Sequence, residues 1–181
     1  PPMFKMDEFR AWQRVLGAAE AQAEYARTAA DAPDGTMIAH WTMDAITIES
    51  GVAVTADSTP FAHHLRLGSD VVAVSDAVEG GALEFINSSN SWGRAVFSPI
   101  LSDVTYALWI KQAAVSSALW PRLIDGQGGY VHAESGSTGF SLTVRVGGAE
   151  SADAFTFDGA SEPWCLDKGR WTHLVVVRKT N

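Results

Sequence analysis

The repeat of apolar residues changes period once along the chain, near Asp31, and that change divides it into two kinds of structure. Residues 7–30 are rich in Ala, Glu, Gln and Arg, contain no Pro and one Gly (Gly17), and place Phe9, Trp12, Leu16, Ala19, Ala23, Ala26 and Ala30 at alternating spacings of three and four. That is a 3.5-residue repeat and predicts one helix of about 35 Å. Asp7 and Glu8 fall in its first turn, where carboxylates suit the positive helix end, and Pro33-Asp34-Gly35 ends it with turn chemistry. From Thr36 onward the period is two. Phe140, Leu142, Val144 and Val146 alternate with Ser141, Thr143 and Arg145, and Phe155 and Phe157 alternate with Thr156 and Asp158, as half-buried strands require. The segments MIAHWTM (37–43), GALEF (81–85), YALWIK (106–111) and WTHLVVV (171–177) are strand-like as well, the last two apolar on both faces as central strands are. Gly-, Ser-, Asp- and Asn-rich stretches at 87–91, 125–129 and 135–139 separate them. Many short strands without intervening helices predict a mainly β, antiparallel two-sheet sandwich or jelly roll over 34–181, preceded by a helical packing or assembly element over 1–33.

Composition removes several function classes. The 181 residues include 7 Trp, 3 Tyr and 8 Phe and are 46% hydrophobic, too apolar for a disordered chain. Thirteen basic residues against 21 acidic ones give a net charge of −8 with no Lys/Arg cluster, so a phosphate backbone is repelled and nucleic acid is not an expected partner. No apolar run approaches the ~20 residues of a membrane-spanning helix, so no membrane span is expected in this chain. Cys165 stands alone, which excludes an intrachain disulfide framework and a cysteine-rich zinc site. The opening Pro1-Pro2 in place of Met implies a processed chain or a stretch of something longer.

The order and identity of the β segments carry a resemblance. His40-Trp41-Thr42-Met43-Asp44, then Asp57, Leu65-Arg66-Leu67-Gly68, the GALEF and YALWIK segments, and Gly169-Arg170-Trp171-Thr172-His173-Leu174-Val175 resemble the successive signatures of the laminin G-like, concanavalin A-like jelly-roll family over about residues 37–178. The resemblance implies an antiparallel jelly roll, an extracellular or surface-exposed setting, and further closing strands that this sequence, ending at Asn181, would lack. An uncovered sheet edge would then be an assembly site.

Catalysis is not expected. Laminarinase-type glycosidases of this architecture place acids at alternate positions of one strand, so that all point into one cleft, and no such spacing occurs here; Glu84 is the only acid in its strand. There is no Gly-x-Ser-x-Gly elbow, and Cys165 beside Trp164 reads as a small buried thiol rather than a nucleophile. Laminin G-like domains often hold one calcium ion at a loop rim. Asp125, with Asp44 or Asp57, could supply hard oxygen ligands, although an Asp opening a tight turn before Gly126 explains the same residue. His63 and His64 are adjacent and would point to opposite faces of a strand, so they read as surface or packing residues.

Ligand binding is what the resemblance implies, at loops of one rim. A sugar needs an exposed aromatic face flanked by amides and carboxylates. The loop with Asn87, Asn90 and Trp92 supplies that set, and Trp120 with Arg122, or Trp164 after Glu162-Pro163, are alternatives. Trp41, Trp109 and Trp171 lie in strands and read as core, and His173 reads as a strand histidine with a local hydrogen bond. Asn87-Ser88-Ser89 fits the N-glycosylation acceptor pattern. The expected function is a non-catalytic glycan- or protein-binding module of a secreted or surface protein. The alternative is a structural subunit of an extracellular assembly, a surface filament or virion. There the seam of Phe9, Trp12, Leu16, Ala19, Ala23 and Ala26 would join another copy or another subunit, unless it folds back on its own jelly roll.

Overall fold

The computed structural model describes residues 2–26, 34–96, 103–112, 122–126, 129–135, 140–146, 154–158 and 169–179. Among them the order is β1 (Pro2–Trp12), α1 (Ala18–Glu24), β2 (Met37–Trp41), β3 (Thr47–Glu49), β4 (Val52–Thr55), β5 (Leu65–Leu67), β6 (Val71–Val74), β7 (Ala82–Ile86), β8 (Gly93–Arg94), β9 (Val104–Gln112), β10 (Arg122–Gly126), β11 (Gly129–Ser135), β12 (Phe140–Val146), β13 (Ala154–Asp158) and β14 (Trp171–Arg178). The protein is mainly β, and the strands read from period-two patterning are present: the 106–111 and 171–177 segments lie side by side as β9 and β14, with Trp109 opposite His173.

All the pairings are antiparallel. The largest sheet runs β14-β9-β1-β7-β6, with β2 also on β1; a second runs β3-β4-β5-β8 and a third is the meander β10-β11-β12-β13. β9 follows one edge of β1 from Phe4 to Trp12, while the other edge pairs first with β7 (Pro2 to Met6) and then with β2 (Phe9 to Trp12). The hairpin between β3 and β4 turns on Ser50 and Gly51, both at positive φ (50° and 80°), the two-residue geometry that matches strand twist.

The first two sheets pack on each other as a β-sandwich. Phe4, Met6, Phe9 and Ala11 of β1, Trp41, Leu83, Phe85, Leu108 and Ile110 from the large sheet meet Leu65 and Leu67 of the second. Phe4 stacks on Phe85 with ring centroids 5.0 Å apart, and Phe9 lies 4.9 Å from Trp41. On the opposite face of the large sheet, Trp12 of β1, Met37 of β2 and Ala107 of β9 form a second cluster with Leu16 from the segment after β1, and Val175 packs against it. α1 starts at Gly17, whose N–H is accepted by the Glu20 carboxylate at 2.8 Å, and continues over this face.

The N-terminal helix expected over residues 7–30 is therefore corrected. Residues 7–12 belong to β1, a strand inside the large sheet, and the helix is confined to Ala18–Glu24. Two physical causes made the strand look helical. β1 is buried on both faces, so its apolar residues need not alternate: Phe9 and Trp12, three apart, serve opposite faces. A bulge adds one residue, because between the pairs Asp7–Trp109 and Arg10–Ala107 both Glu8 and Phe9 face Leu108 alone. The inserted residue turns the Met6-to-Ala11 alternation into a spacing of three. Phe9, Trp12 and Leu16 are 7%, 0% and 5% exposed inside this chain, so they do not form an assembly seam; Ala19, Ala23 and Ala26 are exposed.

Candidate functional site

The covered face of the large sheet opens into a groove of about 820 Å³ between α1 and β14. Ala18, Ala21, Gln22 and Tyr25 form one wall, and Trp109, Trp171, Thr172, His173 and Val175, with Arg170, form the floor and far side. Three rings meet there: Tyr25 to Trp109 is 5.0 Å, Trp109 to His173 is 5.0 Å, and Tyr25 to His173 is 5.9 Å in an edge-on arrangement. The register produces this, because Trp109 and His173 are cross-strand partners and α1 delivers Tyr25 over them. Tyr25 is 57% exposed.

Polar groups in the groove have unused hydrogen-bonding capacity. Trp171 Nε1 and His173 Nε2 are buried with no partner among the described residues. Burial, and secondarily the positive charge of Arg10, push His173 down to about 4, so at neutral pH its imidazole is uncharged. Trp109 is core, as expected, at 9% exposed, and it also meets the groove beside Trp171 and the strand histidine His173, which are only half-buried. Trp41 is core, 4% exposed, with its Nε1 donating to the His63 carbonyl at 2.8 Å.

The loop residues chosen from sequence lie on one exposed turn. Asn87, Asn90 and Trp92 are all exposed, with Trp92 44% so. The turn is held by Ser91 Oγ, which accepts the Ile86 N–H at 2.9 Å, and by Ser88 Oγ, which donates to Asp70. The Arg94 guanidinium lies 5.8 Å over the Trp92 ring. Arg122 and Asp125 are placed on β10 by their backbone alone; their side chains, and Trp120, Trp164 and Cys165, lie outside the described residues.

A buried polar array lies beneath the β1 bulge. Glu8 takes a left-handed backbone (φ 50°), the conformation that inserts it into the strand. Its Oε2 accepts Arg10 Nη2 at 2.6 Å and lies 3.0 Å from His40 Nε2. Arg10 is also 4.0 Å from Glu24, the buried residue of α1, so the helix is tied to the sheet by charge as well as by apolar contact. On its other side His40 Nδ1 lies 2.8 Å from Ser58 Oγ. Neighbouring Asp7 is pushed up to about 7 by burial and by the Glu8 charge, against the N–H groups of Glu79 and Val78 that its Oδ2 accepts.

Two of the three aspartates considered for calcium, Asp57 and Asp44, accept backbone N–H groups. Asp57 accepts the N–H groups of His40 (2.9 Å), Thr59 (2.9 Å) and His63 (2.8 Å) and the Thr59 hydroxyl (2.7 Å). Asp44 accepts the Gly81 N–H at 2.7 Å. His64 Nδ1 accepts the Asp57 N–H at 3.0 Å, from a loop rather than a strand. Among the described residues no three His, Cys, Asp or Glu side chains are grouped to hold a metal, and no helix is long and apolar enough to cross a membrane.

Neither the groove nor the Glu8–His40–Ser58 array was visible in the sequence, since each unites residues far apart in the chain. The one sequence signal for the groove was WTHLVVV itself, an apolar strand that carries a Trp and a His on the same face. Comparison with protein-family models, with curated proteins and with solved structures finds no match to this chain.

Proposed function

We propose that the chain is a glycan-binding module, a jelly roll similar to laminin G-like domains, displayed on a secreted or surface-exposed protein, with the groove between α1 and β14 as its binding site. The observation that carries this reading is the meeting of Tyr25, Trp109 and His173 beside the polar side chains of Gln22 and Arg170. An aromatic face accepts the apolar side of a pyranose, and fixed polar groups around it read the hydroxyls. The buried, unpartnered Trp171 and His173 nitrogens are groups whose desolvation a hydroxyl-rich ligand would repay.

The test is a broad glycan array and a polysaccharide pull-down with the whole chain, repeated with Tyr25→Ala, Gln22→Ala and Trp92→Ala. Tyr25 and Gln22 are exposed, so their variants leave the core intact. Binding about tenfold weaker in Tyr25→Ala and unchanged in Trp92→Ala is the expected result. The reverse pattern moves the site to the Trp92 turn, and a clean null across the array overturns the sugar reading.

A further inference from the structure

The array around His40 has the connectivity of a nucleophilic triad, and we propose that Ser58, His40 and Glu8 form an acyl-transfer site for small activated esters, separate in role from the groove. Ser58 is exposed, whereas His40 and Glu8 are 1% and 2% exposed, so a surface hydroxyl is backed by a buried base and a buried acid. The distances are those of a working relay: 2.8 Å from Ser58 Oγ to His40 Nδ1 and 3.0 Å from His40 Nε2 to Glu8 Oε2. The tautomer is set by what each neighbour can do. Glu8 Oε2 already accepts from Arg10 Nη2 at 2.6 Å and takes a second donor from His40, so His40 Nε2 carries the proton and Nδ1 presents a lone pair to the Ser58 hydroxyl. A competing acceptor for that hydroxyl among the described residues is the His40 carbonyl, farther away at 3.3 Å.

The backbone has been arranged at some cost to make this alignment. Glu8 sits at φ 50° in a bulge, a conformation that is unfavourable for a residue with a side chain and that is a recurrent feature of functional sites. The Ser58 N–H donates to the His40 carbonyl at 2.9 Å, and Asp57 clamps the residues on either side, so the hydroxyl and the imidazole are fixed to one strand end. Preorganisation of this kind supplies nucleophile activation.

In the reaction, Ser58 Oγ adds to the ester carbonyl carbon while its proton passes to His40 Nδ1. The Nε2–H remains on His40 and keeps its hydrogen bond to Glu8 Oε2, which stabilises the imidazolium. Collapse breaks the acyl C–O bond, and the alcohol leaves with the proton from Nδ1. Water then attacks the acyl-Ser58 ester, gives a proton to Nδ1, and the acid departs as Ser58 recovers its hydrogen; ester and water become acid and alcohol. The substrate class follows from the donors at hand. The N–H groups of Ser58, Thr59, Phe61, Ala62, His63 and His64 all have acceptors, Ser58 on the His40 carbonyl of β2 and the other five inside this loop. None of those six is therefore open to an oxyanion, a loss of about 10²–10³ in rate that restricts turnover to esters with good leaving groups.

The experiment is p-nitrophenyl acetate hydrolysis by the whole chain at several pH values, with peptide mapping of the acetylated protein, for wild type, Ser58→Ala, His40→Gln and Glu8→Gln, each checked by circular dichroism. Wild type should release nitrophenol about tenfold or more faster than Ser58→Ala, with the acetyl group on Ser58 and a pH inflection that disappears in His40→Gln. Equal rates in wild type and Ser58→Ala, or acetylation of lysines without Ser58, overturn the proposal. Ser58 acetylation that persists in folded His40→Gln overturns the triad as well. Ser58 is exposed, so its variant remains informative even where His40→Gln or Glu8→Gln fails to fold.

Discussion

Asp7→Asn should change the pH dependence of stability in a direction opposite to that of an ordinary carboxylate. Asp7 is fully buried in β1, accepts the Val78 and Glu79 N–H groups at 2.7 and 3.1 Å through Oδ2, and has an Oδ1 without a partner among the described residues. Its affinity for a proton is raised from the ordinary 3.8 to about 7, chiefly by burial. The folded state thus holds a proton that the unfolded chain releases from pH 4 upward. This contribution to stability is complete below about pH 4 and declines until about pH 7. Three pH units at 1.36 kcal/mol each give at most about 4 kcal/mol. Asn keeps the two accepted hydrogen bonds but never ionises, while its buried amide N–H groups cost about 1–2 kcal/mol at every pH. The variant should therefore be the less stable protein at pH 4 and gain on wild type by up to about 4 kcal/mol as the pH rises to 8. Urea unfolding followed by tryptophan fluorescence at pH 4, 5, 6, 7 and 8, at fixed ionic strength, measures this difference. His173 titrates in the opposite sense: its pKa is lowered to about 4, so its contribution is present above 6.5 and lost as pH falls towards 4. It is common to both proteins and cancels in the comparison. Parallel stability profiles for wild type and Asp7→Asn would refute the argument.

Arg10→Met should destabilise the fold by about 3–5 kcal/mol, read from denaturant midpoints, because it leaves the Glu8 carboxylate buried without its 2.6 Å countercharge. Gly68→Ala places a Cβ 1.9 Å from the Asn90 carbonyl oxygen, so the Trp92 turn must move; a loss of about 1–3 kcal/mol with altered Trp92 fluorescence is expected. Asp76 is bridged by Lys5 at 2.6 Å and Lys111 at 2.8 Å, which hold its carboxyl at about 2, yet its side chain is 43% exposed. Asp76→Asn should cost less than about 1 kcal/mol at neutral pH, and the cost should vanish in 1 M salt and as pH falls from 3.8 towards 2. Trp12→Ala, at a fully buried side chain under the segment before α1, should cost about 3–5 kcal/mol and loosen the groove wall, seen as faster proteolysis near Tyr25.

What the sequence by itself determined is the β character of the chain after Thr36: alternation at 140–146 and 154–158, and the two-sided apolar runs at 106–111 and 171–177, specify strands because side chains of a strand point alternately to its two faces. It also placed Asn87, Asn90 and Trp92 on a loop, since such a polar stretch lacks the apolar faces a strand or helix must bury. What only the tertiary structure decided is the fate of residues 7–12 and the site. Burial on both faces erases period two, and a single bulge residue, Glu8, imitates helical spacing, so a strand between β9 and β2 reads locally as a helix. Tyr25, Trp109 and His173, like Glu8, His40 and Ser58, come together through strand register and the path of α1, and register is a property of pairings between distant segments, which no local pattern encodes.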